Sequence, residues 1–111
     1  MNVYDVDLLI PCMMFFIGLW MHRFPPKTIN GIMGYRTRRS MANQRNWDYA
    51  NTTTGKIWMI EAFILLPLIF FSKGFGWSDP DTVLLANTFG SFPFLFYPVF
   101  YVERRLKKGI E

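Results

Sequence analysis

The chain alternates between long apolar segments and shorter polar ones. The apolar segments extend over about 6–24, 56–72 and 82–102. Each is close to the length of about 20 residues that a helix needs to cross the hydrocarbon core of a bilayer. A helix is expected because a spanning segment must satisfy its backbone hydrogen bonds internally. The pattern therefore predicts an all-α membrane protein with three transmembrane helices, in which residues 1–111 form a single domain.

Residues 27–54 form a polar and basic segment between the first two apolar segments. Its first half contains glycines and arginines and predicts a loop. Residues 41–54 contain neither Gly nor Pro, which predicts a cytoplasmic amphipathic helix leading into the second span. Ser40 is the expected N-cap, because its hydroxyl can accept a hydrogen bond from the first turn. Two alternatives are open: one helix to about Phe71, or two helices bent near Gly55.

The composition and the placement of charge agree with a membrane protein. The chain is 51% hydrophobic and 18% charged, which is too apolar for a soluble domain of this size to bury. Its basic residues concentrate between Arg23 and Lys56 and again between Arg104 and Lys108. By the positive-inside rule, the N-terminus lies outside and the basic loop and C-terminus are cytoplasmic. Because the charges flank apolar segments, they indicate topology and do not indicate nucleic-acid binding.

A polar and aromatic stripe runs along the predicted second helix. Its members are separated by three or four residues and so share one helix face: Asn43, Trp47, Asn51, Thr54, Trp58 and Glu61. A polar stripe on a membrane helix must face protein or water. We therefore expect an inner seam, with the loop that contains Arg36 folded over it.

Glu61 is the strongest candidate for a functional residue in this stripe. An ionised carboxylate in hydrocarbon costs at least ~2.5 kcal/mol, so it must be paired, protonated or hydrated. One interpretation is a substrate, ion or proton site. The other is a buried pair that holds the helices together, with an arginine of the loop or His22 as the partner.

Metal, cofactor and enzymatic functions find little support in the sequence. One His, one Cys and no spaced ligand cluster argue against a metal site. Neither a phosphate-binding glycine loop nor a nucleophile elbow is present. We predict no cofactor and no enzymatic activity, because an intramembrane enzyme would have only Glu61 and His22 as candidate acid and base.

The polar segment also contains a motif with fixed spacings. It comprises Asn, three residues, Gly-Tyr-Arg-Thr, two residues, Ser, two residues, Asn, three residues, Trp, two residues and Ala-Asn. The positions are Asn30, Gly34, Tyr35, Arg36, Thr37, Ser40, Asn43, Trp47, Ala50 and Asn51. In this pattern, and in its three-span layout, the chain resembles the SdpI family of bacterial membrane proteins.

The resemblance implies a function. The best-known member of the family is an immunity protein that protects cells secreting a membrane-active killing peptide. That member also takes part in signalling by holding a transcriptional repressor at the membrane. This chain resembles its C-terminal part. The resemblance implies a multi-pass protein of the bacterial plasma membrane, of toxin-immunity type, with membrane lipids, an antimicrobial peptide or a repressor as partners.

We expect the ligand, a peptide or a lipid headgroup, to bind in the polar seam. The predicted binding residues match the motif, and Glu61 is added from the stripe: Asn30, Gly34, Tyr35, Arg36, Thr37, Ser40, Asn43, Trp47, Asn51 and Glu61. In this interpretation Arg36 binds an anion and Trp47 packs or stacks. The side chains of Asn43 and Asn51 supply hydrogen bonds.

A second function is open at the same acid. A small oligomeric transporter or proton-coupled permease could use Glu61 as its titrating group. Three spans are few for a transport path, so this function requires an oligomer. The third span carries Asn87, Thr88, Gly90 and Ser91, small or polar residues of the kind that line helix contacts. The sequence therefore also predicts a homodimer.

Overall fold

The computed structural model describes residues 3–31 and 34–109 of the chain. A short 3-10 turn, Val3–Asp5, leads into α1, Val6–Arg23. The long helices α2, Gln44–Phe75, and α3, Pro80–Lys108, follow. All three α-helices are long and apolar enough to cross a membrane. The prediction of an all-α membrane protein with three spanning helices is confirmed.

The start of α2 differs from the expectation. Asn43 caps the helix, and its side-chain oxygen accepts a hydrogen bond from Asn46 N at 2.8 Å. The prediction of Ser40 as N-cap was wrong. Ser40 is buried in a turn, where its Oγ accepts from Thr37 N at 2.8 Å and donates to Tyr35 O at 3.1 Å. Since Ser and Asn are nearly equal as N-caps, the sequence alone did not separate the two positions.

The second helix is continuous through Gly55 and ends at Phe75, beyond the predicted Phe71. The alternative of two helices bent near Gly55 is therefore wrong. The helix has 32 residues, which is about 48 Å at the standard rise. Because this exceeds the ~30 Å thickness of the hydrocarbon core, part of α2 projects from the membrane.

Two glycines bring α1 and α2 into backbone contact. A Cβ added at Gly18 would lie 2.7 Å from Gly55 O, and one added at Gly55 would lie 2.6 Å from His22 N. Neither distance leaves room for a side chain. Next to this crossing, His22 Nδ1 lies 3.1 Å from Thr52 O. Crossings through small residues are typical of membrane helices, because they maximise van der Waals contact.

Two apolar clusters lie inside the bundle. The one beneath the loop contains Met21, Tyr35, Ala50, Val102 and Leu106, and the other contains Met14, Ala62, Leu65 and Ile69. Large apolar side chains such as Phe63, Phe70 and Phe100 are exposed on the outside. In water such a surface would aggregate, whereas lipid solvates it.

A polar cluster joins the three helices at the end of the bundle away from the loop. Asp7 of α1 is fully buried. Its carboxylate accepts from Lys73 Nζ at 3.0 Å and from Asn87 Nδ2 at 2.9 Å. The Lys73 ammonium also donates to Tyr4 O. No role of Asp7 or Lys73 was predicted from the sequence, and the structure shows that Asp7 connects α1 to Lys73 of α2 and Asn87 of α3.

Candidate functional site

The loop between α1 and α2 packs against a single buried amide. Asn51 of α2 is fully buried. Its Oδ1 accepts from Tyr35 N at 2.8 Å, and its Nδ2 donates to Trp47 O at 2.9 Å. Gly34 lies directly above it with φ +97°, and a Cβ there would be 2.5 Å from Asn51 Oδ1. Both the backbone conformation and the lack of space require glycine at this position.

Trp47 anchors the beginning of the loop. Its ring is fully buried, and Nε1 donates to Pro26 O at 2.6 Å. Three residues earlier, Gln44 Nε2 donates to Lys27 O at 2.6 Å. The indole therefore packs within the protein, and its polar group is already used by the chain itself.

Tyr35 connects the loop to α3. It is buried, and its hydroxyl donates to Glu103 Oε1 at 2.9 Å. Arg39 forms an ion pair with the other oxygen of Glu103 at 3.3 Å. Burial, followed by the hydrogen bond to Glu103, raises the pKa of Tyr35 well above its usual value. The phenol is held neutral and acts as a structural donor.

The smaller polar residues of the motif also bond within the loop region. Asn30 Nδ2 donates to Thr28 O at 2.9 Å. Thr37 Oγ1 accepts from Ser40 N at 3.2 Å, and Asn43 caps α2. Most residues predicted to bind a ligand thus lie close together. Their polar groups, however, bond to one another and to the backbone, and this internal network shapes the loop.

Arg36 lies apart from the inner seam. Its side chain is exposed and donates to Gly31 O, within the loop. The expectation that the loop folds over the seam is confirmed for Gly34 and Tyr35, whereas placing Arg36 there was wrong. The backbone turn that directs Tyr35 inward directs its neighbour outward.

The inner seam itself is present along α2. Trp47, Asn51, Thr54 and Glu61 are buried, and Trp58 is half-buried. Helical periodicity therefore identified the inward face correctly. Asn43, at the first end of the stripe, is exposed because it precedes the helix as its cap.

Glu61 and Thr54 are the unsatisfied members of the seam. Glu61 is 8% exposed and Thr54 is 4% exposed. Within residues 3–31 and 34–109, Thr54 Oγ1 and Glu61 Oε1 are buried without a hydrogen-bond partner. The alternative of a buried pair between Glu61 and either His22 or an arginine of the loop is not formed: the imidazole faces Thr52 O, and Glu61 Oε1 has no partner among the described residues. Buried polar groups are normally hydrogen-bonded, so each exception calls for an explanation.

Cavities between α2 and α3 adjoin these two groups. Glu61 lines one of about 340 Å³ together with Pro93, Phe94 and Tyr97. We call this the Glu61 cavity. Thr54 lines a second one of about 460 Å³, which also contacts the loop and α1. We call this the loop cavity.

Trp58 lies one helical turn from each of the two unsatisfied groups. Its Nε1 donates to Leu95 O of α3 at 3.2 Å. Pro93 lines the Glu61 cavity and Pro98 lines the loop cavity. Each proline removes a backbone donor from α3. We refer to the two cavities together as the α2–α3 cleft.

The arrangement holds no metal-binding cluster. Across the described parts of the chain, no group of three His, Cys, Asp or Glu side chains lies close enough to hold a metal ion. The cleft instead offers mostly apolar walls and two buried polar atoms that lack a partner in the described part of the chain. Its chemistry suits a mainly apolar ligand that brings its own hydrogen-bond donor.

Comparison with known proteins identifies relatives of the chain. The profile of the SdpI/YfhL protein family matches residues 27–102, which comprise the loop, α2 and most of α3. A relative described as "Uncharacterized protein YfhL", from Bacillus subtilis (strain 168), is 40% identical over 53 residues. The match covers 48% of this chain and 48% of that protein, so the chain spans about half the length of the relative. No solved structure matches the chain.

Proposed function

Because the chain belongs to the SdpI/YfhL protein family, we propose that it is a membrane protein of toxin-immunity type that binds an intruding peptide in the α2–α3 cleft. Its three apolar helices and its family support its assignment as a multi-pass membrane protein. Under the positive-inside rule the loop faces the cytoplasm and the N-terminus lies outside. In this proposal the protein has no enzymatic activity.

The observation that carries the proposal is the buried, unsatisfied pair of Glu61 and Thr54 beside the two cavities. Leaving a buried polar group without a partner costs about 1–3 kcal/mol, and more for a charged group. A ligand that donates to both groups would recover this free energy. A membrane-inserted peptide offers apolar side chains for the walls, and ammonium or amide N–H groups for the polar atoms.

The motif residues support this function indirectly. Gly34 and Tyr35 line the loop cavity, and Asn51 and Trp47 hold the loop in position. Their role is to shape the site and not to contact the ligand through free polar groups. The exposed Arg36 belongs to the outer surface of the loop.

The experiment measures protection by variants of the two unsatisfied residues. Cells that express the chain are exposed to the secreted killing peptide against which the best-known member of the family protects, and survivors are counted. Glu61→Gln should reduce protection about tenfold or more, because a hydrogen bond to a charged group contributes about 1.5–3 kcal/mol. Thr54→Val removes a hydroxyl at nearly constant volume and should act in the same direction.

The matched control is Thr88→Val, the same chemical change in α3. The Thr88 hydroxyl already donates to Leu84 O of its own helix at 2.7 Å, so protection should not change. Membrane levels of all variants are compared by immunoblot. If Glu61→Gln and Thr54→Val protect as well as the native chain, the proposed binding site is wrong.

The same acid supports a second candidate function, a small proton-coupled transporter in which Glu61 titrates. This function requires an oligomer, and a homodimer is the simplest form. Proteoliposomes that contain the native chain should then show pH-dependent flux, and Glu61→Gln should abolish it. Absence of such flux from the native protein, or crosslinking in membranes that yields only monomer, would exclude this function.

A further inference from the structure

A separate groove lies between α2 and α3, closer to the loop than the Glu61 cavity. It has a volume of about 390 Å³. Its polar and basic lining comprises Tyr49, Thr53, Lys56, Tyr97, Tyr101 and Arg105. We call it the headgroup groove. Apart from Tyr97, which it shares with the Glu61 cavity, none of these residues belongs to the α2–α3 cleft.

Two cations from different helices face this groove. Lys56 lies on α2 and Arg105 on α3, and both are exposed. Arg39 pairs with Glu103 and Lys73 pairs with Asp7, whereas neither Lys56 nor Arg105 has an acidic partner among the described residues. A pair of unneutralised cations across one groove is complementary to an anion. The planar guanidinium can bind two phosphate oxygens at once.

Hydroxyl groups surround the two cations. Those of Tyr49, Tyr97 and Tyr101 make no hydrogen bond to the described residues, and all three residues line the groove. Among residues 3–31 and 34–109, the Thr53 hydroxyl likewise has no hydrogen-bond partner, whereas its neighbour Thr52 donates to the backbone of its own helix at 2.7 Å. Free donors beside cations are the usual composition of a site for phosphate oxygens.

The groove lies at the depth of lipid headgroups. Lys56 and Lys73 bracket the apolar part of α2, and are about 26 Å apart along the axis at the standard rise. This is close to the ~30 Å thickness of the hydrocarbon core, which places Lys56 at the interface. Ile57 and Ile60 line the same groove and continue it toward the apolar interior, where an acyl chain would lie.

We propose that the headgroup groove is a binding site for one anionic phospholipid. The phosphodiester would lie between Lys56 and Arg105, with the tyrosine hydroxyls as donors. One acyl chain would follow Ile57 and Ile60. Without an apolar wall the site would suit any phosphate, so the isoleucines favour a phospholipid over a free anion. This inference does not depend on the proposed peptide site.

The experiment is a lipid titration of the full chain in detergent micelles, read by native mass spectrometry. The probe is phosphatidylglycerol, and phosphatidylcholine is the zwitterionic comparison. The native chain should retain one phosphatidylglycerol in preference to phosphatidylcholine. Joint replacement Lys56→Gln and Arg105→Gln should weaken this binding about tenfold or more, since each basic residue near an anionic headgroup contributes about fivefold.

The matched control removes the same charge from the same end of the bundle. Lys107→Gln with Lys108→Gln lies beyond the groove, in the last turn of α3, and should change binding less than about twofold. Equal losses in the two double variants would mean that net charge attracts the lipid, and the site would be refuted. Complete competition by inorganic phosphate would also overturn the proposal, because the ligand would then be a free anion. Circular dichroism confirms that each variant is folded.

Discussion

The crossing of α1 and α2 predicts a large effect from one added methyl group, in the variant Gly55→Ala. The new Cβ would lie 2.6 Å from His22 N and closer still to Gly18 O. Both atoms belong to the backbone of α1, so neither can rotate away. The two helices must separate for the variant to fold.

The magnitude follows from this separation. Restoring van der Waals distances near 3.5 Å requires a local displacement of about 1 Å, and such a gap forfeits up to half of each affected contact. Overpacking of this kind typically costs about 1–3 kcal/mol. Alanine is a better helix former than glycine by about 1 kcal/mol, which offsets part of the cost. We expect Gly55→Ala to lower the free energy of unfolding by up to about 2 kcal/mol.

The assay is equilibrium unfolding in mixed micelles, with increasing SDS and tryptophan fluorescence as the signal. Gly90→Ala is the matched control, because a Cβ at Gly90 meets no atom within 4 Å. That variant should be neutral or slightly stabilised. Gly18→Ala should behave like Gly55→Ala, since its Cβ would lie 2.7 Å from Gly55 O. The double variant should lose less stability than the two single variants lose together, because one separation of the helices accommodates both methyl groups.

Equal midpoints for Gly55→Ala and Gly90→Ala would refute this reasoning. They would mean that α1 and α2 do not touch at the glycines in the folded protein.

Three further outcomes follow from the described contacts. Asp7→Ala leaves the Lys73 ammonium without its carboxylate and should lower the free energy of unfolding by about 2–3 kcal/mol in the same SDS titration. This is less than the cost of breaking a fully buried pair, because the Lys73 side chain is 22% exposed. The folded state raises the pKa of Tyr35 above the ordinary tyrosine value of 10, so the neutral phenol contributes stability that is lost as the pH rises above 10. In Tyr35→Phe this pH-dependent loss of stability should be absent. Gly34→Ala should speed tryptic cleavage of the loop, because its φ of +97° and the amide 2.5 Å from the new Cβ disfavour a side chain.

The spanning helices and the inward face of α2 could be predicted from the sequence because a bilayer leaves few options. An apolar segment of about 20 residues that crosses a bilayer forms a helix, because its backbone hydrogen bonds must be satisfied within the segment, and polar residues on it must face protein or water. The buried Glu61, inside the apolar segment of α2, satisfies this rule. The same rule, applied to Asp7, would have required a partner inside the bundle. Lys73 is the sole basic residue between the second and third apolar segments, and charge matching would have identified it.

The structural role of the motif residues could not be predicted from their spacing. The contact of Tyr35 with Glu103 joins positions far apart in the chain, and no local pattern specifies it. Side-chain direction in the loop also depends on the turn, which is why Arg36 faces outward. A fixed spacing of polar residues is equally compatible with an open binding site and with a closed hydrogen-bond network. In this chain most of the motif forms the network.

The ion pair between Asp7 and Lys73 has a consequence for biosynthesis. The acid is in α1 and its cation is near the end of α2, so α1 is synthesised before the partner of its carboxylate. Until α2 is complete, the Asp7 carboxylate of α1 lacks the Lys73 ammonium that neutralises it in the folded bundle. We therefore expect α1 and α2 to leave the insertion machinery together, as a hairpin, with α3 joining them afterwards.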